Sequence, residues 1–219
     1  MRTLKKLLVA VLLAAAASSV FAADPPGTDE LVRYFRSVQV DDAKTVLKMI
    51  DGRIVNPNQP DPRSGETALL LALREGAPTV VSALIALPGI DLEAQAPNGN
   101  TALMMAAFKR NRPAVEALLA KGAQVNRAGW NALHFAAAAG DDGITQLLLQ
   151  KGARIDARAP AGFTALMLAA REGQESTVAT LLQAGADPSL VNSEKLTAAQ
   201  IATRAEKPRI AAAIEQFKQ

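Results

Sequence analysis

A four-residue phrase recurs five times along this chain: Thr67-Ala68-Leu69-Leu70, Thr101-Ala102-Leu103-Met104, Asn131-Ala132-Leu133-His134, Thr164-Ala165-Leu166-Met167 and Thr197-Ala198-Ala199-Gln200. Successive copies begin 34, 30, 33 and 33 residues apart. A second phrase follows each of the first four copies: Ala83-Leu84-Ile85, Ala117-Leu118-Leu119, Gln146-Leu147-Leu148-Leu149 and Thr180-Leu181-Leu182. A third ends a unit: Gly122-Ala123, Gly152-Ala153 and Gly185-Ala186. Self-similarity at a period of about 33 residues marks a stacked array. No unit of that length buries its own apolar face, so the core must form between neighbours.

Each unit reads as a short helix, a turn, a longer helix and a Gly-Ala break. Thr at the helix start accepts from free backbone amides as an N-cap. Ala in the helices allows close approach, and Leu fills the space between units. Gly76, Gly140 and Gly173 fall between paired helices, where a positive φ is cheap for glycine. The Gly-Ala phrase ends the second helix. These residues resemble the ankyrin repeat, with its Thr-Pro-Leu-His opening. Gly129 to Ala137, Gly-Trp-Asn-Ala-Leu-His-Phe-Ala-Ala, matches it best.

The resemblance covers roughly residues 28 to 217. It implies an all-α ankyrin-repeat solenoid of stacked helix-turn-helix units with β-hairpin-like fingers. A divergent amino-terminal unit is expected at about 28–60, repeats at 61–95, 96–128, 129–158 and 159–191, and a carboxy-terminal cap unit at 192–219. Two connections depart from the pattern. Gly52 to Thr67 is 15 residues and proline-rich, whereas Gly122 to Asn131 is only 9, against 12 from Gly152 to Thr164.

Residues 1–22 carry the three parts of a secretory signal peptide. Arg2, Lys5 and Lys6 form the basic start, Leu7 to Ala17 the apolar run, and Val20 and Ala22 the small-residue cleavage site. Eleven apolar residues are too few to span a bilayer, which takes about 20. The expectation is cleavage between Ala22 and Ala23 and a mature chain, 23–219, exported to a bacterial periplasm with no integral membrane segment.

Removing the leader takes Lys+Arg from 24 to 21, against 21 Asp+Glu, so the mature chain is neutral. A nucleic-acid partner needs surplus cations and is therefore not expected. With no cysteine and one histidine, neither a metal site nor any other cofactor is expected. The resemblance implies that His134 is a framework residue bonding to turn backbone and a neighbouring unit. No phosphate loop, His-Glu-x-x-His or nucleophile elbow occurs, and no catalytic residue is assigned.

The informative positions are those the repeat leaves free: the finger residues before each Thr, and the two before each inter-helix Gly. The resemblance places them on the concave face, where partners bind. They include Arg63, Ser64, Glu66, Arg74 and Glu75; Asn98, Asn100, Phe108 and Lys109; Arg127 and Trp130; Phe163, Arg171 and Glu172; Glu194 and Leu196. Three of eight aromatics, Phe108, Trp130 and Phe163, fall there in consecutive units. Exposed rings are the usual anchors of a binding surface. The candidate partner-binding set is Phe108, Trp130 and Phe163 with Arg74, Lys109, Arg127, Arg171 and Glu172. The expected function is non-catalytic binding of an unidentified protein by a monomer. Self-association through the stacking faces and a carboxylate-dependent hydrolase are the alternatives.

Overall fold

The computed structural model describes residues 27–217. The expected leader and its Ala22/Ala23 cleavage site lie outside the described residues. Among the described residues twelve α-helices follow one another in pairs: α1 (Thr28–Gln39) with α2 (Ala43–Asp51), α3 (Ala68–Glu75) with α4 (Pro78–Ala86), α5 (Ala102–Phe108) with α6 (Arg112–Ala120), α7 (Ala132–Ala139) with α8 (Asp142–Gln150), α9 (Ala165–Glu172) with α10 (Glu175–Gln183), and α11 (Ala198–Arg204) with α12 (Pro208–Phe217). None of these helices is long and apolar enough to cross a membrane.

Helix starts follow from the capping residues. Thr101, Asn131, Thr164 and Thr197 each accept a backbone amide from the first turn. Thr67 departs from the expectation: its backbone is extended as in a cap, but its Oγ1 is buried and finds no partner in the protein. At the tight turn inside each pair one residue takes a left-handed conformation. Gly76, Gly140 and Gly173 fill it at φ 74°, 73° and 84°, whereas Asp41, Arg110 and Glu206 occupy it as non-glycines. Asp41 gains a compensating contact, because its carboxylate accepts from the amides of Thr79 and Val80 in the next unit. Slight burial opposes ionisation there, but those amides hold the Asp41 carboxyl below its usual range.

The first helices of the pairs, odd-numbered, form one layer and the second helices another. Alanines make the first layer tight: Ala68, Ala102, Ala132, Ala165 and Ala198 are all buried where these helices meet. Neighbouring helices meet more extensively in this layer, here called the inner layer, than in the second. Leu69, Leu103, Leu133 and Leu166 fill the space between the layers, and one continuous core runs through all the units.

A second ladder ties the units together along the connections. Asn58 donates to Gly89 O (2.8 Å) and accepts from Asp91 N (2.8 Å). Glu93 accepts from Gln124 N, Asn126 bonds Gly152 and Arg154, and Asp156 accepts from Asp187 N. The fingers are less regular than hairpins. Among the described residues they form only the isolated antiparallel bridges Pro60 with Thr67 and Val191 with Thr197. Elsewhere one backbone bond closes the turn, as Ala96 N to Asn100 O (2.9 Å) or Ala159 N to Phe163 O (2.8 Å). No such bond closes the shortened finger before α7. Three missing residues remove the length that a closing pair needs.

Candidate functional site

Two register positions build the inner surface. One is the finger residue just before each helix cap: Glu66, Asn100, Trp130, Phe163 and Leu196. The other lies seven residues after the cap, at the end of the inner helix: Arg74, Phe108, Ala138, Arg171 and Arg204. In the first repeat Arg74 reaches back to Glu66 (2.9 Å) and also pairs with Glu75 (2.9 Å). In the fourth, the Arg171 guanidinium lies over the Phe163 ring, 5.4 Å from its centroid, and bonds Glu172 at 2.9 Å. In these two repeats the long side chain at the helix end thus covers its own finger.

The third repeat lacks that cover. Ala138 stands where an arginine would reach, and a groove of about 620 Å³ opens over Trp130. Its floor is a ring cluster. Phe135 meets Phe108 edge-on (centroids 6.1 Å, 89°) and Trp130 (6.1 Å, 64°). Trp130 also stands edge-on against His134 at 5.6 Å. Phe108 is 50% exposed and Trp130 37%, so both rings face solvent across the gap. Arg110 from the second repeat and Arg171, Glu172 and Gln174 from the fourth complete the walls.

His134 is held as a framework group. Its Nε2–H donates to the carbonyls of Ala157 (3.0 Å), at the end of its own unit, and of Phe163 (3.2 Å), in the finger of the next. Its Nδ1 accepts from the Asn131 amide at 3.3 Å. Burial, working against protonation, lowers its pKa below the usual imidazole value, although the two carbonyls pull the other way. A neutral, doubly anchored ring is a poor proton shuttle and a good brace. It braces the groove as well, because Trp130 leans on it.

A family model described as "Ankyrin repeats (3 copies)" matches residues 30–128 and 125–192, well over half of the chain. The chain belongs to the ankyrin-repeat family. Among solved structures, this ankyrin-repeat chain is similar to "the ankyrin repeat domain of Bcl-3: a unique member of the IkappaB protein family", with a TM-score of 0.69 and 32% identity over 84% of this chain and 81% of that one. It is also similar to the SH3 and multiple ankyrin repeat domains protein 1 of Mus musculus and of Rattus norvegicus, each 33% identical over 129 residues. That match takes in 57% of this chain but only 6% of each relative's length.

The ankyrin register accounts for where the candidate residues fall. Phe108 and Trp130 share one cluster, with Arg171 and Glu172 on its wall. Phe163 does not join it: half-buried under Arg171, it lines the next groove toward Arg204. Arg74 is engaged by its own two glutamates, and Glu66, expected at a free position, is 7% exposed and buried in that pair. Lys109 caps the end of α5, exposed beside the groove, and forms no ion pair. Arg127 is half-buried in the shortened finger, away from the groove lining. Phe135 went unsuspected, although the matching residues Leu71, Met105, Leu168 and Ile201 are aliphatic and buried. A ring at that register was the available signal. Among the described residues no three acidic or histidine side chains cluster as a metal site.

Proposed function

We propose that this chain is an exported, soluble, monomeric ankyrin-repeat module that binds another protein on its concave inner face and performs no catalysis itself. The carrying observation is the uncovered ring cluster of Phe108, Trp130 and Phe135 in a surface whose first and fourth repeats cover their fingers. Ankyrin-repeat domains are typical protein-interaction modules. Stacked units present such a surface preformed, which lowers the ordering cost of binding.

The three-part leader at residues 1–22 supports export, and the periplasm is the proposed destination. Affinity capture from periplasmic extract, run in parallel with the intact protein and with Ala138→Arg, tests the reading. A stoichiometric partner held by the first and lost from the second supports it. Capture of only its own chain would favour an assembly protein. Amino-terminal sequencing of the mature protein tests export, with Ala23 as the expected first residue.

A further inference from the structure

The charges around the groove are unevenly committed, and that asymmetry bears on the chemistry of the partner. Glu172 is taken up by Arg171, whose guanidinium also stacks on Phe163. Arg110, at the opposite end of the groove, holds only long contacts: 3.6 Å to Asp141 and 3.5 Å to the Gly140 carbonyl. Both exceed an ordinary N–H···O hydrogen bond. The Arg110 side chain is 61% exposed, and Lys109 beside it has no ion pair. Excess positive charge therefore gathers at the second-repeat end of an aromatic floor.

The backbone points the same way. Arg110 sits at φ 56°, in the position that three sibling units give to glycine. Strain of this kind persists where surrounding structure imposes it, and it clusters at functional sites. Asp41 offsets its own strain by capping the next helix with short bonds, at 2.8 Å to Val80. Glu206 also holds this turn as a non-glycine, at φ 58°, and Arg110 makes no bond comparable to that of Asp41.

We propose that the groove takes a segment of another protein in which an aromatic or long aliphatic side chain lies close in sequence to an aspartate or glutamate. This rests on the partner-binding reading above. The apolar side chain enters the gap over Trp130 and Phe135, and the carboxylate pairs with Arg110. Neighbouring helices pack about 8–10 Å apart, and Arg110 lies one unit from Trp130 and Phe135. An extended segment advances about 3.3 Å per residue, which separates anchor and carboxylate by about three residues. A cationic segment would meet Arg110 and Lys109 unfavourably.

The test is selection of a displayed random peptide library on the full-length mature protein, followed by affinity measurement of the enriched peptides on variants. Enrichment of an aromatic or aliphatic residue with Asp or Glu two to four positions away is expected. Arg110→Gly should weaken those peptides about tenfold, and raised salt should weaken the intact protein in the same direction. Glycine already serves at this turn in three units, so the variant should fold, as circular dichroism would show. Peptides that bind through Trp130 but are basic, or that ignore Arg110→Gly, overturn the charge assignment while leaving the groove as the binding surface. Peptides that ignore Trp130→Ala, or no enrichment at all, overturn both.

Discussion

The first and third repeats share the same helix-pair form and differ in what they do with the same two positions. In the first, Glu66 and Arg74 close on each other and leave a self-satisfied surface. In the third, Trp130 and Ala138 stand there instead, and the ring stays open. The fourth repeat is intermediate, with Arg171 lying over Phe163. Whether a unit leaves its finger residue open thus depends here on one side chain at the end of its inner helix. A long cation there turns the finger residue inward, and an alanine frees it.

The largest effect expected from breaking this contrast is on affinity. Trp130→Ala should cost about 2 kcal/mol in binding, roughly a thirtyfold loss, with the fold retained. Isothermal titration with the captured partner alongside a melting curve checks it, and the same titration on Arg74→Ala should show no change. Ala138→Arg makes the third repeat imitate the fourth. It should cut affinity about tenfold while holding stability or raising it slightly, since a cation over an indole contributes about 0.5–1 kcal/mol.

Effects on stability come next. Glu66→Ala strips Arg74 of its buried partner and should destabilise by about 1 kcal/mol, read from denaturant unfolding, with binding unaltered. His134→Gln should also cost about 1 kcal/mol near neutral pH. Its sharper signature is pH dependence. The folded state holds His134 neutral and its pKa low, while the unfolded chain titrates near 6.5. The unfolded state therefore takes up the proton first as pH falls. The stabilisation is complete above about 6.5 and drains away below it, toward the lowered folded value. Unfolding between pH 5 and 7 should show this slope in the intact protein and lose it in the variant. The smallest change is Arg110→Gly, which relieves a left-handed residue and should stabilise by about 0.5 kcal/mol.

Much of the architecture was readable because ankyrin signals are local. Gly76, Gly140 and Gly173 mark their turns since the backbone there needs a positive φ. Asn131 and Thr164 mark helix starts because free amides need an acceptor nearby. Thr67 shows the limit: the same residue at the same register makes no side-chain cap bond, and its hydroxyl is buried without a partner. The inter-unit ladder of Asn58, Glu93, Asn126 and Asp156 escaped sequence reading, since each bond joins residues about 30 positions apart.

The resemblance to the ankyrin repeat placed His134 in the framework and Phe108 and Trp130 on the inner face, while the sequence by itself determined the repeat and the helix pairs. These follow from periodicity and from the backbone demands of glycine, alanine and capping residues, which are met within one unit. Only the tertiary structure decided that Phe163 lies beneath Arg171, that Arg74 is spent on Glu66, and that Phe135 joins Phe108 to Trp130. Register says which face a residue points to. Exposure depends on which neighbouring side chain, often one unit away, is long enough to lie across it.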